Sequence, residues 1–386
     1  MQHTKIFMTA DPLGEAWVYA LELCNALGAW NCDIILATTG RFLTGSQVRE
    51  AARIPHLQLY ESAAKIDWLE HPHAALELAS AWLLDLAQTT QPDIIHLNHY
   101  LAGDLTWPAP VLMVVHSCLL AWWQAVRGKV PPTEWNTHRQ HVRASLHNAD
   151  LVIAPTQAML TSLQQFYGPF PNAKVIYPGR RQPPFSPLPK EKLIFAAGQL
   201  GDAASNQSAI AAVAPQLALE TQGWSIYGIS DRSCSVTPPG QRLQAAHDSP
   251  VPKESSAQWL ARASIYAFPA RYAALGLDVF NAALAGCALV LGNTPSLCEI
   301  WQDAALYAPP TDHAALAATL THLICDAKQR EWCAACARKH AESFSASCMA
   351  AAYWSAYRSL IANAAVAPQA ALALSYQNVR TNTVVA

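Results

Sequence analysis

The chain has 386 residues, which is too long for a single ordinary hydrophobic core and suits two domains of about 150 to 200 residues each. Hydrophobic residues make up 52% of the sequence, and this excludes disorder over most of its length. The net charge of −2, without a basic run, argues against nucleic acid as a partner.

The first half alternates apolar runs with amphipathic patterns, which is typical of parallel α/β layers. We predict strands at 5–8, 33–37, 93–97, 111–115 and 151–154, and helices near 16–27, 74–87 and 157–166. Residues 177–190 contain five prolines in fourteen positions, so they form neither a helix nor a central strand. This segment is the predicted linker between two domains.

A second α/β series follows the linker. Strands are predicted at 192–196, 224–227, 264–268 and 288–291, an irregular loop at 231–253, and helices from about 312 to 361. The predicted fold class is α/β, with two doubly wound Rossmann-like domains at 1–180 and 181–345. A helix at 346–362 is expected to cross back onto the first domain, and residues 363–386 are expected to be a disordered tail.

Residues 270–310 carry the most informative pattern of the second half. Gly276 is predicted to open a helix through Ala285, Gly286 to stand at its C′ position, and 288–291 to form a buried parallel strand. The first N–H groups of a helix have no partner within the helix, so such a terminus can receive a diphosphate.

The same stretch is similar to a known family signature, matched in order by Arg271, Tyr272, Gly276, Leu277, Ala282, Gly286, Pro295 and Glu299. Further landmarks are 8–17, 115–117, 148–150, 175–179 and 197–206. Together they cover nearly all of residues 4–362, and the chain resembles the retaining GT-B glycosyltransferases of family four, the glycosyl transferases group 1. The resemblance implies a cleft between the domains, a nucleotide-sugar donor as substrate, retention of configuration, no cofactor and no metal.

The residues that hold the donor depart from the family pattern. The family places an Arg and a Lys near the start of the second domain and two Glu on the sugar and the ribose; here Gln199, Ser205, Ala273 and Asn281 stand at these positions. Asn206 does match. Losing the two cations alone removes about 3–6 kcal/mol, at about 1.5–3 kcal/mol for each charge-assisted hydrogen bond. We expect these four positions to line a solvated cleft.

Two charged residues near the donor position have two interpretations each. Glu15 follows Gly14 where the family has a second glycine, so its carboxylate either takes the place of a phosphate or is an ordinary first-turn acid. Arg271 either supplies a cation to the cleft or forms a salt bridge elsewhere. Gly14, Glu15, Arg271, Gly276 and Leu277 complete the predicted donor side.

Polar residues at strand ends predict the other side of the cleft. His116 follows a buried strand where the family has a His that contacts the donor sugar, so it is the catalytic candidate. Asn98, His99 and Tyr100 end the neighbouring strand, and ligands bind at the carboxyl ends of parallel strands. With Glu134 they are the acceptor-side candidates. The Cys333-x-x-Cys336 pair has no second pair at zinc spacing, so no metal site is predicted.

The irregular spacing of ten cysteines indicates a reducing cytoplasm, and the N-terminus lacks the apolar region of a secretory signal. The longest apolar stretch, 109–123, is too short to span a bilayer, and no basic amphipathic helix stands out, although peripheral membrane contact stays open. We expect a soluble cytoplasmic protein.

Two hypotheses about function remain. One is a glycosyltransferase that moves a sugar from a nucleotide donor to an unknown acceptor. The other is a catalytically impaired homologue that serves as a binding or partner subunit, for instance of an intact glycosyltransferase.

Overall fold

A computed structural model describes residues 3–62, 72–101, 105–129, 131–170, 172–181, 188–196, 203–221, 223–228 and 253–381, without the side chains of 72–75, 220, 253–255 and 366–381. Gln199 lies outside the described residues, as does the loop predicted at 231–253 apart from Lys253, the first residue of a helix.

The first half is built on a seven-stranded parallel sheet with the strand order β3-β2-β1-β4-β5-β6-β7. Its strands are β1 (Thr4–Ala10), β2 (Cys32–Thr38), β3 (Leu57–Glu61), β4 (Ile94–Leu97), β5 (Val111–Val114), β6 (Leu151–Ala154) and β7 (Ala173–Val175). Its helices are α1 (Gly14–Leu27), α2 (Gly45–Ala51), α3 (Pro72–Thr90), α4 (Leu119–Arg127), α5 (Asn136–His147) and α6 (Gln157–Tyr167), with a 3-10 helix at Thr133–Trp135.

The second half is built on a five-stranded parallel sheet with the order β12-β11-β10-β8-β9. Its strands are β8 (Glu191–Ala196), β9 (Ser225–Gly228), β10 (Ala263–Phe268), β11 (Ala288–Gly292) and β12 (Leu306–Ala308). Its helices are α7 (Gln207–Glu220), α8 (Lys253–Arg262), α9 (Leu277–Leu284), α10 (Pro295–Trp301), α11 (His313–Cys325) and α12 (Ala327–Glu342), with a 3-10 helix at Gln302–Ala304.

Both sheets bury apolar side chains on both faces. In β1, Ile6 and Met8 belong to the core on one face of the first sheet, whereas Phe7 belongs to the core on the other face. In β8, Phe195 and Ile194 divide in the same way between the two faces of the second sheet. Successive side chains of a strand point to opposite faces, so a sheet covered on both sides needs continuous apolar runs.

The last helix, α13 (Ala346–Thr381), packs against the first half of the chain. Tyr353 and Tyr357 are fully buried in the core that α1 and β1 share. The helix continues beyond residue 362, where the sequence analysis ended it. The predicted domain boundaries and the predicted disorder of 363–386 stay predictions.

The predicted α/β fold class is confirmed, and so is the series of strands that the apolar runs indicated. Three observed strands, β3, β7 and β12, are not among the predicted ones. All of β3 is partly or fully exposed at a sheet edge, so its sequence is not an apolar run, and β7 and β12 have only three residues each. Gly286 does stand after α9, where Cys287 N–H donates to the Ala282 carbonyl as in a Schellman motif.

Candidate active site

The carboxyl ends of the central strands hold most of the candidate residues. In the first sheet, β1 and β4 are neighbours at the point where the strand order changes direction; Gly14 begins the helix that follows β1, and Asn98 follows β4 directly. In the second sheet, β10 ends at Phe268 and leads to Arg271. Ligands of open α/β sheets bind at such switch points, so these loops define the candidate site.

Asn206 fixes the loops of the second half that surround the site. It caps α7 in the left-handed conformation, with a φ of 56°, and its Nδ2 donates to the carbonyls of Pro269 (2.9 Å) and Pro310 (2.8 Å). The Ala204 carbonyl accepts the N–H of Arg271 at 2.8 Å. The structure therefore brings the loops of Ser205, Asn206 and Arg271 together, and the amide nitrogen of Asn206 binds the protein's own backbone.

The N-terminus of α9 is held by a carboxylate from the first half. Gly276 precedes the helix with a φ of 61°, a left-handed conformation that favours glycine, and as the N-cap residue it has no side chain with which to cap the helix. Instead, Glu15 in the first turn of α1 accepts the Leu277 N–H through Oε1 at 2.7 Å. A side-chain anion thus lies where a helix terminus can bind a phosphate.

Burial raises the pKa of Glu15 from its ordinary 4.5 to about 7, and the neighbouring Asp278 carboxylate adds to this rise. The N–H groups of Leu277 and Gly276, together with the Arg180 guanidinium, act in the opposite direction. The carboxyl group therefore changes its charge within the physiological pH range.

Arg180 is a cation of the site that the sequence analysis did not predict. Its Nε and Nη2 donate to Asn281 Oδ1 at 3.2 and 3.0 Å, and its Nη1 lies 2.9 Å from Glu22 Oε2 of α1. The family resemblance assigns Asn281 to the position of a ribose-binding Glu, and in the structure its side-chain carbonyl oxygen is bound by this guanidinium. The sequence does show an Arg180-Arg181 pair, but it lies within residues 177–190, which are interpreted only as a linker.

Two predicted donor positions are not solvated, and for them the expectation of an open cleft is wrong. Ser205 is 4% exposed and Ala273 is 7% exposed. Ala273 belongs to the hydrophobic core of the second half, and its neighbours in the chain pack against the first half: Leu275 and Leu277 join the core of α1 and α13, and Tyr272 and Ala274 pack on the other face of the first sheet. Arg271 Nε is buried and has no hydrogen-bond partner among the described residues.

His116 belongs to a buried polar network of the first half. Asn98 Nδ2 donates to the Thr9 carbonyl at 2.7 Å, so Asn98 Oδ1 faces His116 Nε2 (2.7 Å) and His96 Nε2 (3.2 Å). His96 Nδ1 in turn accepts from the Tyr357 hydroxyl. Burial lowers the pKa values of His116 and His96 to about 3, so both rings are neutral near pH 7.

This network determines which atom of His116 is left for a ligand. A neutral ring that donates from Nε2 has a bare acceptor at Nδ1. His116 Nδ1 is buried and has no partner among the described residues. The atom is therefore a hydrogen-bond acceptor and not a proton donor.

The acceptor-side candidates divide into two groups. His99 Nε2 is buried and unpaired among the described residues, and burial lowers the pKa of His99 to about 4. The Tyr100 hydroxyl donates to the Ser117 carbonyl at 3.2 Å, beside His116. Glu134 is exposed on the 3-10 helix between α4 and α5, and no described hydrogen bond joins it to the other candidates.

Further contacts that the sequence did not indicate join the two halves around the site. The Cys118 N–H donates to the Tyr272 hydroxyl at 2.9 Å. Glu299 of α10 accepts the N–H groups of Gln157 (2.6 Å) and Ala158 (2.7 Å) at the start of α6, and the Tyr177 hydroxyl at 3.0 Å. The halves are thus held together by side chain to backbone contacts on both sides of the cleft.

Among the described residues, no three His, Cys, Asp or Glu side chains are grouped as a metal site. The part of the chain that the structure describes contains no helix with the length and apolar character needed to cross a bilayer. The nine described cysteines are all free thiols.

Two parallel Rossmann-like sheets with their switch points at one interface define the GT-B class. Residues 16–180 match the model of Glycosyltransferase Family 4, and residues 192–326 match the model of Glycosyl transferases group 1. The chain belongs to this glycosyltransferase family. No curated protein matches it by sequence.

Solved structures share the fold at low sequence identity. Sucrose-phosphate synthase from Thermosynechococcus elongatus is 16% identical, with a TM-score of 0.73 over 94% of this chain and 100% of that one. Anabaena HepE in complex with UDP and glucose is 14% identical, with a TM-score of 0.67 over 93% and 100%. A glycosyltransferase from Rickettsia africae is 12% identical, with a TM-score of 0.65 over 94% and 99%.

Proposed function

We propose that this chain is a glycosyltransferase homologue whose donor site is impaired, and that it acts as a cytoplasmic binding or partner subunit. The observation that carries the proposal is the contact between Glu15 Oε1 and the Leu277 N–H, at 2.7 Å. Donors of this family carry a diphosphate. To bind here, that diphosphate would have to displace the Glu15 carboxylate or lie next to its negative charge. Either requirement weakens binding of a dianion.

Three features of the same site support the proposal. The Asn281 oxygen at the ribose position is bound by Arg180. Ala273 and Ser205 offer neither charge nor exposed surface where the family has a Glu and a Lys. Transfer from a nucleotide sugar relies on cations aimed at the growing phosphate charge, so their loss should affect the transition state most.

The test is calorimetric titration of UDP, GDP, ADP and UDP-glucose into the wild type, Glu15→Gly and Glu15→Gln. We expect wild-type dissociation constants roughly a hundredfold or more above the micromolar range, from the loss of about 3–6 kcal/mol. Glu15→Gly should bind diphosphate about tenfold more tightly, because both the carboxylate and its charge are removed. Glu15→Gln keeps the shape of the side chain and should gain less.

A low-micromolar dissociation constant of the wild type for any of these nucleotides would contradict the proposal. So would equal diphosphate binding by the wild type and Glu15→Gly.

The second candidate is an active transferase that retains anomeric configuration. The observation in its favour is His116 Nδ1, an acceptor without a partner among the described residues, at the position of the family's sugar-binding His. NMR detection of sugar transfer or donor hydrolysis in a broad donor screen, lost in His116→Ala, would support this candidate and not the first.

A further inference from the structure

A row of aromatic rings lies on the surface of the first half. Trp122 and Trp123 of α4 have their ring centroids 6.0 Å apart, Trp123 and Trp135 are 6.1 Å apart, and Trp135 and His138 are 5.8 Å apart. All four side chains are partly exposed. We call Trp122, Trp123 and Trp135 the tryptophan face.

The segment of the chain that carries this face is positively charged. Residues 119–147 contain four Lys or Arg and one acid, which gives +3, whereas the whole chain is −2 and the remainder is therefore −5. The guanidinium of Arg127 lies 6.0 Å from the Trp122 ring centroid, and Arg127 and Lys129 are exposed at the end of α4. Aromatic rings bordered by cations are suited to a surface that is both apolar and negatively charged.

The tryptophan face adjoins the candidate site. The helix that carries Trp122 and Trp123 begins at Leu119, directly after Cys118, and the Cys118 N–H binds the Tyr272 hydroxyl across the cleft. His116 is two residues before Cys118 in the chain. A surface bound by α4 would therefore lie next to the entrance of the cleft.

We propose that the tryptophan face, with Arg127 and Lys129, docks the protein on a bilayer that contains anionic phospholipids. Trp side chains lie favourably at the boundary between headgroups and acyl chains, and each nearby Lys or Arg adds attraction to an anionic leaflet. A partner bound by charge alone would not require the rings. The sequence did not indicate this surface because its cations are divided between α4, the following loop and α5, so no single helix is basic and amphipathic.

The test is co-sedimentation of the full chain with vesicles of phosphatidylcholine alone or with 30% phosphatidylglycerol (about one lipid in three). We expect binding to the anionic vesicles and much weaker binding to phosphatidylcholine. Arg127→Gln with Lys129→Gln should lower the partition coefficient roughly twenty- to thirtyfold, from about 1 kcal/mol for each cation near the surface. Trp122→Ala with Trp123→Ala should lower it at least tenfold, with the fold checked by circular dichroism.

The chain offers matched controls for both variants. Trp332 is an exposed tryptophan on α12, and Arg338 and Lys339 are exposed cations on the same helix. Trp332→Ala and the double change Arg338→Gln with Lys339→Gln should leave vesicle binding unchanged.

Absence of wild-type binding to anionic vesicles would overturn the proposal. Equal losses in the α12 controls would also overturn it, because binding would then depend on overall charge or hydrophobicity. Unchanged binding of a folded Trp122→Ala, Trp123→Ala variant would show a charge-only contact with a polyanion and would exclude docking through the rings.

Discussion

Each half of the molecule places a glutamate carboxylate at a helix N-terminus of the other half. The two contacts differ in whether that helix also has a cap of its own. Glu15 reaches from α1 to the first N–H of α9, and Glu299 reaches from α10 to the first N–H groups of α6. Helix α6 already has its own cap, because Thr156 Oγ1 accepts the Met159 N–H at 3.0 Å. The N-cap residue of helix α9 is Gly276, which supplies no side-chain cap.

Because of this difference, we interpret the Glu299 contact as structural and the Glu15 contact as one that takes the place of a ligand. Glu299 adds two backbone bonds and the Tyr177 hydroxyl to a terminus that its own loop caps, which is the pattern of a contact that fixes the halves together. Glu15 lies at a terminus that begins with glycine, and burial, with a smaller contribution from the neighbouring Asp278, raises its pKa to about 7. We therefore interpret the α9 terminus as a position where the Glu15 carboxyl group takes the place of an anionic ligand.

The largest expected effect on stability comes from placing a new carboxylate at position 273, on the loop that leads to α9. Ala273 is 7% exposed on the loop that leads to α9, so Ala273→Glu buries a charge without a partner and should destabilise the protein by about 3 kcal/mol or more. Asn281→Glu is the matched control, because the new carboxylate would meet Arg180. Thermal unfolding should show a large loss for the first variant and a small change for the second. A fully stable Ala273→Glu would mean that the loop opens easily.

A smaller loss of stability should follow removal of Glu299. Glu299→Ala leaves two N–H groups and a hydroxyl without their acceptor, and we expect a loss of about 2–3 kcal/mol in unfolding free energy. Glu299→Gln keeps one acceptor oxygen and should lose less. Glu15→Gly should not show a comparable loss in denaturant unfolding at pH 8. If the two carboxylate deletions destabilise equally, the contacts are both structural and the distinction between them is wrong.

The fold could be predicted from the sequence because its physical cause is local. Apolar runs such as 33–37 and 288–291 must be buried on both faces, and Gly276 and Gly286 mark the ends of α9 by their need for positive φ. The family resemblance singles out Glu15 and leaves two interpretations of it open: a carboxylate in the place of a phosphate, or an ordinary first-turn acid. Its contact with the Leu277 N–H, across the interface at a helix N-terminus, is the observation on which the first interpretation depends.

The burial of the site could not be predicted, because it depends on tertiary packing, both in the core of the second half and between the halves. Neither Ala273 nor Ser205 carries a sequence signal that separates a solvated cleft wall from a covered one. Arg180 lay in a segment whose prolines indicated only a linker, and its two partners are 158 and 101 residues away in the chain. The buried pairing of His96 with Tyr357 likewise needs α13 to return to the first sheet.

The smallest expected effect is a pH dependence of the unfolding free energy that comes from Glu15 and distinguishes its contact from that of Glu299. The folded-state pKa of Glu15 is raised to about 7, so the folded protein binds this proton more tightly than the unfolded chain does. Stability is therefore lost as the pH rises from about 4.5 to about 7, and the full cost is present above pH 7. Glu15→Gln has no such cost and keeps an acceptor for Leu277. It should match the wild type near pH 5 and be more stable by about 1–2 kcal/mol at pH 8, with one pKa unit worth about 1.4 kcal/mol and some screening by solvent.

Unfolding curves of both proteins at pH 5, 6, 7 and 8 measure this difference, with the exposed carboxylate variant Glu134→Gln as the control. A constant difference between Glu15→Gln and the wild type at all four pH values would mean that Glu15 is already ionised at pH 5. The carboxylate would then be an ordinary first-turn acid, and the contrast with Glu299 would rest on geometry alone.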